Sequence, residues 1–254
     1  MKNILVPTDF SENSKNALQF AEILAKQFDV EIDLLHVHHP KMAELEGITI
    51  EVEGFKYLSS KLRDIAMESD YFAKINRRIE EGFASDIILS NSNEYSYIVI
   101  GSTGNNPAKK WLGSVTLVIG KKAKCPVIII PPDFEPKPFK KLGYAYDQSI
   151  DDAYQIESLL KSEAIDVLPF HIQQQNGGDP RKEKTDNPIG IGADHYIIHA
   201  TSIEEGMNAA FDMLDLDVIA MERQRRSILS RLLFGSPTIE AMTKVHAPLI
   251  ILHD

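Results

Sequence analysis

The chain opens on a short apolar run, Ile4-Leu-Val-Pro-Thr-Asp9, that stops at a polar turn. Such a run is the pattern of a buried strand ending at its turn. The period then changes: Ala17, Leu18, Ala21, Leu24, Ala25 and Phe28 fall on one face of a helix, with Ser11 or Asn13 placed to cap its start. Residues 31–38 (EIDLLHVH) read as a strand, and Phe55, Leu58, Leu62 and Ile65 as a second helical face. A polar strand follows at 72–79, a short helix at 84–93, a buried strand at 95–101, a helix at 114–123 and a last strand at 126–130. Alternating strand and helix predicts a parallel sheet with helices on both faces. Pro131-Pro132 and Pro136-Lys-Pro138 then mark a linker.

Beyond the linker the order repeats. The tail from Gly113 to Pro132 (GSVTLVIGKKAKCPVIIIPP) aligns without a gap on the tail from Gly235 to Asp254 (GSPTIEAMTKVHAPLIILHD). Gly113 falls on Gly235, Ser114 on Ser236, Thr116 on Thr238, Lys122 on Lys244 and Pro126 on Pro248. Upstream, 142–146 ends at Asp147 with Ser149 two residues on, as Ser11 follows Asp9, and 164–171 (AIDVLPFH) parallels 31–38. A strand at 194–200, an amphipathic helix at 203–214 and a buried strand at 217–221 complete the second copy. The polar, Gly- and Pro-rich stretch Gln173 to Gly190 replaces the second helix, and it is expected to be a mobile loop. The repeat divides the chain into domains at 1–134 and 139–254.

Composition narrows the classes. Hydrophobic content of 43% and charged content of 25% are those of a soluble globular protein. No apolar run approaches a membrane span and the first residues lack the pattern of a secretory signal, so a cytoplasmic protein is expected. Cys125 is the single cysteine, which excludes an intrachain disulfide. A net charge of -10, concentrated in the second half, argues against general nucleic-acid binding.

The chemistry gathers where strands end. Gly101-x-x-Gly104 follows a buried strand, and Gly113-Ser114 opens a helix. In a parallel sheet of order 3-2-1-4-5 both lie at the carboxyl end, beside Asp9 at the end of the first strand. Glycines let backbone N–H groups approach an anion, and a helix N-terminus and the Ser114 hydroxyl add donors, so the set suits a triphosphate. No Gly-Lys-Ser/Thr follows, so this is no Walker loop. The competing reading is two turn glycines, a helix cap and a capping Asp9.

Val-Pro7-Thr-Asp9-Phe-Ser, Leu-His36-Val37, Gly101-x-x-Gly104 with Gly113-Ser114, and Cys-Pro126-Val-Ile together resemble the universal stress protein (UspA) family. The resemblance spans nearly the whole chain as a tandem pair. It implies two Rossmann-like (adenine nucleotide alpha hydrolase-like) domains, each a parallel five-stranded sheet of order 3-2-1-4-5 flanked by helices, forming an intrachain pseudo-dimer. It implies ATP as the ligand, with Mg2+ carried on the phosphates, and pairing through the last strands, within the chain or as a homodimer. By position, Asp9 would meet the adenosine, Pro7 would line its pocket and Val37 would offer backbone groups to adenine. Gly101, Thr103, Gly104, Gly113, Ser114 and Val115 would surround ribose and phosphates. The loop Asn105–Leu112 is one residue shorter than is usual in ATP-binding members, and Pro107 stiffens it. In the second half the family spacing puts Glu222 and Arg225 where glycines belong, and Phe170 replaces Val37. Glu222 would repel phosphate, and Asp147 alone reads as a cap.

The remaining features read as structure. His36, His38 and His39, and His195 with His199, lack the further ligands that a metal site needs. Arg223, Arg225, Arg226 and Arg231 read as a solvated helix face, Cys125 as a small buried residue and Trp111 as a packing anchor. The function expected is a stress-response module that binds ATP in its first domain, the second being structural. The alternative is a scaffold that binds no nucleotide and acts through protein partners. With no general base near the glycine loop beyond Asp9, any catalysis is expected to be at most a slow ATPase.

Overall fold

The first strand, β1 (Ile4–Pro7), is buried along its whole length. The computed structural model describes residues 2–39, 52–103, 113–138, 140–146, 165–186, 194–222 and 245–252. The chain divides into two compact units, Met1–Pro136 and Lys137–Asp254.

In the first unit β1 pairs in parallel with β2 (Ile32–His38) on one side and β4 (Tyr97–Gly101) on the other. β3 (Ile75–Glu81) lies outside β2, and β5 (Val127–Ile130) outside β4. The order is β3-β2-β1-β4-β5, all parallel. β1, β4 and β5 are buried throughout, which explains their continuous apolar sequences, whereas β3 carries its charges at the edge.

Helices α1 (Glu12–Phe28), α2 (Val52–Met67), α3 (Ala84–Asn91) and α4 (Ser114–Lys122) cover this sheet. α1 begins where Ser11 accepts from the Ser14 amide and ends where Asp29 turns left-handed at φ 51°. Ala17, Leu18, Ala21, Leu24 and Ala25 of the predicted face are buried, Phe20 joins them, and Phe28 at the helix end is half-buried. Burying a side chain the size of Leu24 contributes about 1.5–3 kcal/mol.

The second unit keeps the same core. β6 (Lys141–Ala145) pairs in parallel with β7 (Asp166–Gln174) and β10 (Val218–Glu222). β9 (His195–Ala200) lies outside β7, β11 (Leu249–Leu252) lies outside β10, and α5 (Ile203–Met213) packs on β7 and β9. The order β9-β7-β6-β10-β11 again has the 3-2-1-4-5 form.

One expectation for this unit is corrected. The sheet is mixed, because β8 (Arg181–Thr185) adds a sixth, antiparallel strand along β9, from Arg181↔His199 to Thr185↔His195. The stretch read as a mobile loop therefore carries the end of β7, a turn and an edge strand. Gly177 and Gly178 make that turn, with φ of 80° and 94°. The sequence of β8, RKEKT, is almost wholly exposed, so it offers no apolar alternation to read. Its charges suit an edge that must not pair further.

Candidate functional site

At the carboxyl ends of β1, β2 and β4, beside the first turn of α4, lies a cavity of about 240 Å³. Pro7, Asp9, Val37, Gly101, Thr103, Gly113, Ser114 and Val115 all line it. The ninth candidate, Gly104, lies outside the described residues, as do Asn105–Leu112 with Pro107 and Trp111. Sequence reasoning missed Thr8, Ser14, Leu35, His36, Ala84, Ile88, Ile100 and Thr116, which line the same space. Most of these are strand-end or helix-start residues whose apolar or hydroxyl side chains look like ordinary core in a linear reading.

The Asp9 wall is a tight hydrogen-bonded turn. The Thr8 amide donates to Leu35 O at 2.8 Å and so carries the β1–β2 ladder one residue beyond the strand. Asp9 accepts from the Ser11 amide at 3.1 Å and from the Ser11 hydroxyl at 2.5 Å. Its carboxylate thus folds over the start of α1, but the N-cap itself is Ser11. Between them Phe10 takes φ 65°, a left-handed backbone that a non-glycine residue adopts only when its surroundings hold it. The Ser14 hydroxyl donates to Ser11 O at 2.8 Å, so the Thr8 hydroxyl, 2.9 Å away, is the donor to Ser14 Oγ.

The opposite wall is the entry and exit of the glycine loop. The Ser102 amide donates to Ile130 O at 2.8 Å, and the Gly113 amide donates to Ser102 O at 2.7 Å. The Thr116 hydroxyl, buried in the first turn of α4, donates to Gly101 O at 2.9 Å. These bonds fasten the two ends of the loop together. They also commit the Gly113 N–H to the protein, which leaves the amides of Ser114, Val115 and Thr116 as the first-turn donors, the Leu117 amide being the first to bond within the helix. Gly113 has no side chain to cap them. The dipole of α4 favours negative charge there.

Gly101 has a second reason to be glycine. A Cβ there would stand 2.9 Å from Asn13 Nδ2 and 3.0 Å from Asn13 Cγ. The Asn13 amide uses that space to donate to Thr103 O at 3.1 Å, bracing the loop from α1. Asn13 Oδ1 is buried with no partner among the described residues.

His36 sits on the β2 side. Its Nδ1 lies 2.9 Å from Thr8 O, and burial lowers its pKa below the usual imidazole range, only partly offset by that carbonyl. Among the described residues no group of three His, Cys, Asp or Glu side chains is arranged to hold a metal ion. Cys125 is buried, which raises its thiol pKa to about 12 and leaves no reactive thiolate at neutral pH.

The second unit shows what becomes of this site. Tyr146 N–H donates to Phe170 O at 3.1 Å, as Thr8 N–H does to Leu35 O. His171 Nδ1 then lies 3.1 Å from Tyr146 O, as His36 does from Thr8 O. The strand register therefore puts Tyr146 in the place of Thr8, Phe170 in that of Leu35 and His171 in that of His36. This corrects the sequence alignment by two residues: Ile172, not Phe170, stands where Val37 does. The Tyr146 ring is buried against Tyr144, His171 and His195, and its hydroxyl meets His195 Nε2 in a short hydrogen bond. An aromatic plug thus fills the position where the first unit has a small hydroxyl. His199 pairs at 3.2 Å with Glu183 of β8. The register also puts Glu222 opposite Leu252, as Gly101 stands opposite Ile130, in agreement with the spacing argument. Asp147, Ser149, Arg223, Arg225, Arg226, Arg231 and Gly235 lie outside the described residues.

No helix among the described residues is long and apolar enough to cross a membrane. A sequence profile of the universal stress protein family matches residues 1–131. A universal stress protein of Methanocaldococcus jannaschii is 28% identical over 141 residues, 51% of this chain and 81% of its own length. One of Bacillus subtilis is 28% identical over 146 residues, 50% of this chain and 97% of its own length. Among solved structures, a universal stress protein from Archaeoglobus fulgidus aligns with a TM-score of 0.69 at 22% identity, over 99% of this chain and 96% of its own. That likeness extends the fold over both units.

Proposed function

The chain belongs to the universal stress protein family, and from that premise we propose that its first unit is a regulatory, stress-response module that binds ATP, while its second unit is structural. The observation that carries this reading is the convergence of Pro7, Asp9, Val37, Gly101, Thr103, Gly113, Ser114 and Val115 on one cavity. Pro7, Leu35, Ile88 and Ile100 supply apolar walls suited to a flat base, and Asp9 offers a carboxylate to ribose hydroxyls. Ser114 and Val115 offer amides at a helix N-terminus to phosphate oxygens, with Mg2+ arriving on the phosphates. Gly104 belongs to this set by its position in the sequence. Among the described residues of the wall, the side chains able to act as a base are Asp9 and His36, and both already hold hydrogen bonds within the turn, which favours binding over turnover. The Tyr146 plug and Glu222 support a single site rather than two.

Two measurements test the reading. Mass spectrometry of small molecules released from freshly purified protein is expected to find ATP or AMP. Calorimetric titration with ATP is expected to show one site per chain, lost in Gly113→Asp, where a carboxylate enters the anion site while circular dichroism stays native. Wild-type affinity in Gly113→Asp, or no released nucleotide together with no titratable site, would favour the scaffold reading instead.

A further inference from the structure

We infer that His36 is a positioning residue for this site: its ring grips both neighbours of Asp9 and so fixes where the Asp9 carboxylate meets a ligand. The inference rests on the binding reading above. Thr8 O can only accept, so the hydrogen bonded to it is carried by His36 Nδ1, which sets the tautomer of the ring. The same ring lies 4.3 Å from the Phe10 ring, tilted by 35°. Phe10 holds its left-handed φ of 65° between these contacts, and Lys61 Nζ of α2 lies 5.3 Å from the Phe10 ring centre. Asp9 is therefore flanked by one residue hydrogen-bonded to His36 and another stacked on it. The turn is held from β2 and α2 as well as by its own Ser11 bonds. A side chain that locks the direction of a ligand-facing carboxylate lowers the ordering cost of binding.

The second unit supplies an internal control. His171 makes the same ring-to-carbonyl bond to Tyr146, in a unit where a tyrosine ring stands in the place of Thr8. If the bond served only the fold, removing it from either unit would have the same kind of effect. If it positions Asp9, only the first-unit histidine matters for the ligand.

The test uses the full chain, ATP titration and backbone amide exchange. His36→Ala is expected to weaken ATP binding about fivefold to tenfold, the scale of one lost hydrogen bond together with its stacking. His36→Asn, which keeps a donor near the Nδ1 position, is expected to recover part of that loss. His171→Ala is expected to leave the affinity at the wild-type level. Phe10→Asn, whose residue type tolerates a left-handed backbone, keeps His36 and removes the stack, and it serves if His36→Ala does not fold. It too is expected to weaken binding. Unchanged affinity in both His36→Ala and Phe10→Asn would overturn the inference, and so would an equal loss in His171→Ala. Should the wild-type chain bind no ATP, the binding reading fails by itself and the clamp is judged by exchange at the Phe10 and Ser11 amides. Faster exchange there in His36→Ala than in His171→Ala supports the clamp, and equal rates overturn it.

Discussion

Asn13 occupies the space that a side chain on Gly101 would need, with its amide nitrogen 2.9 Å from where the Cβ would stand. Gly101 is thus fixed by the packing of α1 on β4 as well as by any ligand. Gly101→Ala is expected to push Asn13 off Thr103 O and destabilise the first unit by about 1–3 kcal/mol, the usual cost of overpacking. The double variant Gly101→Ala with Asn13→Ala removes the side-chain part of the clash while the Asn13 carbonyl stays 3.0 Å from the Cβ position, so it is expected to recover part of that loss. Urea unfolding of the three proteins checks this, and additive losses would show that the two residues do not share the space.

Thr116 is the second strut of the loop. Thr116→Val keeps the shape of the side chain and removes its hydroxyl, leaving Gly101 O without that donor. A loss of about 1–3 kcal/mol is expected, the cost of an unsatisfied buried acceptor. Because the strut ties α4 to the end of β4, ATP affinity should fall as well. Calorimetry and urea unfolding on the same preparation separate the two effects, and wild-type values in both would show the strut to be idle.

The parts of this molecule that were legible in the sequence are those buried on both faces or placed at strand ends. β1, β4 and β5 announce themselves as apolar runs because helices cover both sides of the sheet. That Pro7, Asp9, Gly101 and Gly113 line one cavity was legible because glycines and Asp9 stand where such strands stop. β8 was not, since its exposed charges carry no apolar period. The two-residue offset of β7 escaped for a different reason. A strand pattern has period two, so 164–171 fits 31–38 equally well after a slip of two, with every side chain still on its proper face. Only the ladder from Tyr146 to Phe170 resolves it. The Asn13–Gly101 contact spans too much sequence for any local pattern to suggest it.

The aromatic plug predicts a separation of stability from binding. Tyr146→Phe keeps the ring and removes the hydroxyl that meets His195, whose Nδ1 is already without a partner among the described residues. Leaving that buried imidazole with less hydrogen bonding should destabilise the second unit by about 1–3 kcal/mol. ATP affinity in the first unit should stay at its wild-type level. A variant that unfolds with wild-type midpoint, or that loses ATP binding while folded, would contradict this account of the second unit.

Burial lowers the pKa of both His36 and His195, in the latter with the neighbouring His171 adding repulsion. A histidine depressed in the folded state binds fewer protons there than in the unfolded chain, where its value is about 6.5. Stability therefore rises with pH across the window between the folded and unfolded values, and it is lost as pH falls below about 6.5. For His36 the nearby charges are mixed: His38 and Lys61 add to the depression, while Asp9 and the Thr8 carbonyl oppose it. The paired carboxylates act elsewhere. Asp217, held low by Lys137 and the amides of Lys140 and Lys141 despite its partial burial, gives stability that is present above about 4 and lost only below it. A fall in the urea midpoint between pH 7 and pH 5 can thus be assigned to imidazoles. His36→Asn combined with His195→Asn is expected to flatten that fall while leaving the steeper loss below about pH 4 in place. Burial raises the pKa of Glu22, which acts in the opposite sense as pH falls, so the comparison is between proteins: a double variant whose midpoint follows the wild-type profile from pH 7 to pH 5 would show that neither histidine is held neutral by the fold.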